Sequence, residues 1–336
     1  MTGSLLENHD VVLLDLDGTV YRGGQLAPGA DEAIDGLRRD GVHARYVTNN
    51  ASKPGQAVAD HLNSLGLSAD ATEVSTSAQA GAALLGQQLS AGANVLVVGT
   101  DALAGEIEHV GLTPVRRFED KPVAVVQGHS PETAWWNLAE ACLAIRAGAL
   151  WVASNSDATL PTERGELPGN GAMVTALRAA TGREPQVAGK PELPLLERAV
   201  ASADARRPLM VGDRLDTDIA GAVRYGMPSL MVFTGVGTPA EVLFAPPDAR
   251  PDHLAEDMRA LFRPIDDSAV GEQQQWKVRV GERSLELTAN AAAGGGDRLT
   301  ALRALCAAWW AAGSGEVALQ AGDAEASRAL RELGLD

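Results

Sequence analysis

A doubly wound α/β fold on a parallel sheet, closed by a smaller α+β unit, is the architecture this sequence predicts. Three observations predict it. Short apolar runs such as VVLLDL carry no alternation, the pattern of strands buried on both faces. Between such runs lie segments of helical spacing with clear stop residues, and repeated βα units of this length place helices on both faces of a parallel sheet. After Phe262 a polar, linker-like stretch (RPIDDSAVGEQQQ) sets off a tail whose apolar residues alternate with period two.

The elements follow in order. VVLLDL is the first strand, DEAIDGLRRDG a helix stopped by Gly41, and HARYVTNN the second strand. SKPGQAVADHLNSLG reads as a helix with Ser52 as N-cap, Pro54 in its first turn and Gly66 past its end. NVLVVGT, KPVAVVQG and ALWVASN are further strands, of the same sheet or of a second one. DALAGEIEHVG and PETAWWNLAEACLAIRAG are the helices between them. Trp135, Trp136 and Trp151 fit core positions there, or a contact between copies. RPLMVGDRLDTDIAGAVRYGMPSLMVFTG reads strand, acidic loop, helix, strand. In the tail, WKVRV, RSLELT and EVALQ are strands, joined by an Ala/Leu/Trp helix and closed by DAEASRALRELG.

The 336 residues suffice for two or three domains, and an apolar fraction of 45% supplies their cores. With 28 basic and 44 acidic residues the net charge is −16, which argues against nucleic acid or an anionic membrane surface as partner. Cys142 and Cys306 have no Cys or His neighbour at metal spacing and read as core residues of a reducing compartment. VVLLDL is too short and too acidic for a signal peptide, and no segment approaches a spanning helix, so the expectation is a soluble, cytoplasmic protein.

The chemistry gathers at strand ends. Asp15 and Asp17, in DLDGT, point to the same side of an extended chain and repel one another. An ordinary Asp/Gly turn is one reading of them. A calcium loop of the EF-hand kind is excluded, since Thr19 and Leu26 stand where it needs an acid and a glutamate. A phosphate-transfer site at the carboxyl ends of the strands is the third reading. It requires a divalent cation such as Mg²⁺ and more carboxylates at another strand end, and LMVGDRLDTDI supplies Asp213, Asp216 and Asp218. It also requires donors for phosphate oxygens, offered by Thr48, Asn49 and Asn50 in YVTNN, and a cation, offered by Lys190 in VAGKPELP.

In this order and spacing the motifs resemble the haloacid dehalogenase-like phosphohydrolases, with Asp15/Asp17, Thr48, Lys190 and Asp213/Asp218 at the four family motifs. TSAQAGAALL, LPGNGAMVTAL and GDRLDTDIAGA are similar to the branch that carries an α/β cap, the NagD-type or 4-nitrophenylphosphatase-like branch. The resemblance implies a core at residues 1–80 and 184–262, an inserted α/β cap at 81–183 and a C-terminal module at 263–336. It implies that Asp15 is the nucleophile and Asp17 the general acid and base. Mg²⁺ is then held by the Asp15 carboxylate, the Asp17 main-chain carbonyl and Asp213, with Asp218 orienting the metal waters or Lys190. Thr48, Asn49, Asn50 and Lys190 bind the phosphate. Asp17 further implies a phosphatase rather than a dehalogenase, since a halide leaving group needs no proton.

The cap of such enzymes reads the leaving group, and Asn155, Asp157, Arg164 and Asn170 are the candidates here. The implied substrate is a small phosphomonoester, with glycerol 3-phosphate favoured and 2-phosphoglycolate, pyridoxal phosphate and nucleotides as alternatives. A homodimer is left open. A non-catalytic binding or scaffolding protein acting through its tail is the alternative of another class, and the intact acid set argues against it. The last stretch, EVALQAGDAEASRALRELGLD, resembles the closing strand and helix of GCN5-related N-acetyltransferases. The tail lacks the leading Gln/Arg of their cofactor turn and is under half such a domain, so a non-catalytic module is expected.

Overall fold

The structure is a computed structural model and describes residues 3–162, 164–294 and 296–336. The chain forms two compact units, Met1–Ala44 with Ala203–Asp336, and Arg45–Ser202.

In the first unit, four parallel strands stand in the order His253–Ala255, Ser229–Val232, Pro208–Gly212, Val11–Leu14. Val11–Leu14 is buried at every position, which is why its sequence shows no alternation. Leu14 pairs with Val211, so the two strands end together, and the Asp15 amide continues the ladder to the Val211 carbonyl at 3.0 Å. Asp15 and Asp213 therefore leave neighbouring strand ends. The helix Ala30–Arg39 follows, with Asp31 and Glu32 in its first turn and Arg38 and Arg39 in its last, each sign suited to the helix dipole. Its buried stripe is Ala30, Ala33, Ile34 and Leu37.

The tail builds the predicted elements. Trp276–Val280 and Ser284–Ala289 pair antiparallel, and Ala318–Ala321 joins Ser284–Ala289 in parallel. Helices Arg298–Ala312 and Ala324–Leu333 pack with them. Leu285, Leu302, Leu305 and Leu330 bury into one core with Met231, Val242, Leu243 and Leu254 of the sheet region. Removing a leucine from such a core costs about 2–5 kcal/mol. Polar ties reinforce the join: Arg250 donates to the Trp310 carbonyl at 3.1 Å and the Gly313 carbonyl at 2.9 Å, and Arg303 donates to the Leu254 carbonyl at 2.9 Å. The stretch expected to be a solvated linker is ordered instead. The Leu254 amide donates to the Ser268 carbonyl at 2.8 Å and the Val270 amide to the Asp252 carbonyl at 2.9 Å, so the segment lines the sheet edge.

Two buried histidines in this unit make its stability pH-dependent. The His9 Nδ1 lies 3.2 Å from the Arg207 carbonyl and the His253 Nδ1 3.0 Å from the Ser268 hydroxyl. Burial lowers both pKa values from the ordinary 6.5. The folded state thus holds fewer protons than the unfolded chain just below pH 6.5, and stability is full above that value and falls as pH drops toward the folded pKa values. The unfolding midpoint is expected to decline on going from pH 7.5 to pH 5, and less steeply after His9→Gln and His253→Gln. An unchanged slope in the double variant would refute the assignment.

In the second unit, the strand end at Tyr46–Thr48 pairs in parallel with Val74–Thr76, and the helix Gly55–Ser64 connects them. Ser52 is not the cap of that helix. Pro54 occupies the cap position with no side-chain bond, and the Ser52 hydroxyl donates to the His129 carbonyl at 2.7 Å. The strands left open between one sheet and two form a second, parallel sheet: Gln186–Val187, Leu150–Ala153, Ala124–Gln127, Asn94–Val98, Thr113–Val115. Trp151 is buried on it, donating to the Gln127 side chain at 3.2 Å. Trp135 and Trp136 are not core residues. They open the helix Trp135–Arg146 ahead of its packed stripe and are 80% and 58% exposed. Cys306 is buried as expected, whereas Cys142 is only half-buried. No described helix is long and apolar enough to cross a membrane.

Candidate active site

The first unit gathers the acids. After Asp15 the chain wraps around the Leu16 carbonyl, which accepts from the Val20 amide at 2.9 Å and the Tyr21 amide at 3.1 Å. The wrap needs Gly18, whose φ is 97°, and a Cβ there would lie 2.6 Å from the Asp213 carboxyl carbon. Asp213 is fully buried. Its carboxylate accepts from the Val236 amide at 2.8 Å and the Thr19 hydroxyl at 3.4 Å. Asp218 lies in a π-helical turn, Leu215–Ile219, that aims it back at the strand end, where it accepts from the Arg214 amide at 3.2 Å. Such π turns are rare and concentrate at functional sites. Asp216, the third acid of that loop, faces out and pairs with Arg214 at 2.8 Å.

Asp15, Asp213 and Asp218 each place one oxygen within 4.8 Å of the others. Three carboxylates so close repel strongly unless a cation joins them. Hard oxygen donors in this number fit Mg²⁺, which keeps several waters and takes few protein ligands. Asp218 thus belongs to the cluster by distance, while the Asp17 carboxylate is outside it. Burial, Asp17 and Asp15 together push the Tyr21 phenol well above its ordinary pKa, so it stays protonated beside the acids.

The second unit presents the other predicted residues. Thr48 ends its strand and accepts from the Asn50 amide at 3.1 Å, while the Asn50 side chain accepts from the Ser52 amide at 2.7 Å in an Asx turn. Lys190 is 1% exposed and donates through Nζ to the Val47 carbonyl at 3.0 Å. The Asn49 amide lies between Lys190 and Asp157, donating to the Lys190 carbonyl at 2.9 Å and to Asp157 at 3.1 Å. Asn155 and Asn170 are buried and bonded to each other, with the Asn170 amide 2.7 Å from the Asn155 carbonyl. Arg164 stands exposed near the turn between Thr159–Thr162 and Gly165–Pro168.

Sequence reading missed Thr19, the Val236 amide and Thr234, whose hydroxyl donates to the Gly18 carbonyl at 2.6 Å. The TGVG run after the strand Ser229–Val232 was the only trace of Thr234 and Val236, an ordinary turn signal.

Comparison with known proteins places this arrangement. Residues 12–113 match the haloacid dehalogenase-like hydrolase family, and residues 187–261 a second description of it, HAD-hydrolase-like. A D-glycerol 3-phosphate phosphatase of Mycobacterium tuberculosis is 49% identical over 99% of this chain and 96% of its own length. This chain belongs to the haloacid dehalogenase-like hydrolases. A crystal structure of glycerol phosphate phosphatase from M. tuberculosis in complex with magnesium superposes with a TM-score of 0.95 at 49% identity, covering 100% of both chains. A 5′-nucleotidase of Bacillus subtilis is 37% identical over 76% of this chain and 94% of its own. A 4-nitrophenylphosphatase of Thermotoga maritima matches with a TM-score of 0.71 at 28% identity, over 76% of this chain and 97% of its own. Residues 273–335 match a GCN5-related N-acetyltransferase-like domain.

Proposed function

We propose that this hydrolase cleaves glycerol 3-phosphate to glycerol and phosphate, with Mg²⁺ as its cofactor. The observation that carries the chemistry is the meeting of Asp15, Asp213 and Asp218 at adjacent strand ends. The substrate rests on the full-length relative from M. tuberculosis.

In this reading an Asp15 carboxylate oxygen attacks phosphorus and the ester P–O bond breaks. Asp17 donates its proton to the departing alkoxide. The aspartyl-phosphate so formed is then attacked by a water whose proton returns to Asp17, releasing phosphate and restoring the Asp15 carboxylate. Bound by Asp15, the Asp17 carbonyl and Asp213, Mg²⁺ would supply charge neutralisation for the transferred group. Thr48 donates through its hydroxyl, Asn50 lies beside it in the phosphate loop, and Lys190 supplies the positive charge. Asp218 would orient the metal waters or Lys190. The proposed domains are a core at residues 1–80 and 184–262, a cap at 81–183 and a non-catalytic module at 263–336, in a cytoplasmic protein.

The test is phosphate release from both glycerol 3-phosphate enantiomers, 2-phosphoglycolate, pyridoxal 5′-phosphate, UMP and 4-nitrophenyl phosphate, with Mg²⁺ and with EDTA. A metal-dependent preference for one glycerol 3-phosphate is expected. Preference for UMP would favour the activity of the B. subtilis relative. A flat profile would keep the chemistry and remove the substrate, and no metal-dependent release would overturn both.

A further inference from the structure

The Asn49 side chain spends both of its donor hydrogens within the second unit. Its Oδ1 accepts from the Lys190 amide at 2.8 Å, and its Nδ2 donates to the Lys190 carbonyl at 2.9 Å and to Asp157 at 3.1 Å. An amide has two N–H protons, and both are used. None is left for a phosphate oxygen. The Asn49 main chain is held too, its carbonyl accepting from the Ser77 hydroxyl and from Asn155 Nδ2, each at 2.6 Å. The approach is close enough that a Cβ on Gly189 would lie 2.6 Å from both Asn49 Oδ1 and the Ser154 carbonyl.

We propose that Asn49 is a positioning residue, and that it makes the placement of Lys190 depend on Asp157. An ionised carboxylate only accepts hydrogen bonds, so Asp157 holds Nδ2 in the same orientation that the Lys190 amide and carbonyl require. With Nδ2 drawn to Asp157, Oδ1 is left to receive the Lys190 amide, and the main chain there is clamped at two points. Asp157 follows the strand Leu150–Ala153, in the loop that also carries Asn155. That loop therefore sets the register of a lysine whose own side chain is 1% exposed. The inference rests on the reading of Lys190 as the cation of the phosphate site.

Three isosteric variants and one control test it. Asn49→Asp keeps an acceptor for the Lys190 amide, loses both donors and sets a charge against Asp157. It is expected to lower kcat/KM on the best substrate of the panel by about 100-fold, the scale of a one-ångström misplacement. Asp157→Asn alone is expected to lower kcat/KM less than Asn49→Asp does, because its side-chain oxygen still accepts from Asn49. Added to Asn49→Asp, it is expected to restore roughly tenfold, since the amide can then donate to the new carboxylate, a charge-assisted bond. A phosphate-touching Asn49 would show no such relief, and that result would overturn the proposal. So would a rise in kcat/KM from Asp157→Asn in the parent, which would mark a general field effect. Lys190→Met separates the two readings. Full turnover in it removes the lysine's role itself, whereas lost turnover with unrelieved Asn49→Asp removes only the positioning role. If Asn49→Asp fails to fold, Asn49→Ser is expected to show the same loss, unchanged by Asp157→Asn; a further, multiplying loss would overturn the dependence.

Discussion

Asp15→Asn is expected to abolish phosphate release, by roughly 10⁴-fold or more, while the protein stays folded. The amide is the same size as the carboxylate, and the strand's ladder bond from the Asp15 main chain to Val211 is untouched. What changes is chemistry. A neutral amide oxygen is a poor nucleophile toward phosphorus, so the covalent step has no starting point. Electrostatics favours the variant's fold, because one of three carboxylates within 4.8 Å of one another becomes neutral. Intact-protein mass after brief exposure to substrate checks the route, since a phosphoryl adduct should be detectable in the parent and never in Asp15→Asn. Normal turnover by the variant would sink the aspartyl-phosphate mechanism.

The first strand was legible because Val11–Leu14 is apolar at every position, and a strand buried on both faces needs to be. The acids after it were legible for a related reason. Charges at the end of such a strand demand a partner, and Asp213 and Asp218 answered in the expected loop. What stayed hidden was orientation. Asp216 and Asp218 are two residues apart in one short loop, and the π turn that holds both sends one outward to Arg214 and the other inward. No periodicity rule announces such a turn. Trp135 and Trp136 show the same limit, since helical spacing places residues on a face but does not say where along the helix that face begins to be covered. Asn49 was read as a ligand donor because TNN is rich in donors. That its amide closes on Lys190, 141 positions away, is a tertiary fact that local sequence does not carry.

Asp213→Asn is expected to separate stability from activity in opposite directions. Asp213 is fully buried, and its carboxylate already accepts from the Val236 amide and the Thr19 hydroxyl. Asparagine keeps an oxygen for the Val236 amide, so the local geometry has a means to persist. In EDTA the variant should unfold at a higher temperature than the parent, because the cluster loses a like charge. Adding Mg²⁺ should reverse the order. A ligand that binds only the folded state stabilises by about 2.7 kcal/mol at one hundred times its dissociation constant, and the parent should collect that gain while the variant collects far less. Turnover should fall on the order of 10³-fold, the scale of several kcal/mol of lost transition-state charge stabilisation. Unfolding midpoints with EDTA and with Mg²⁺, measured on both proteins, give the four numbers needed. A parent indifferent to Mg²⁺, beside a variant less stable than the parent in EDTA, would mean that the three acids are held apart by their hydrogen bonds alone and that the cluster is not a metal centre.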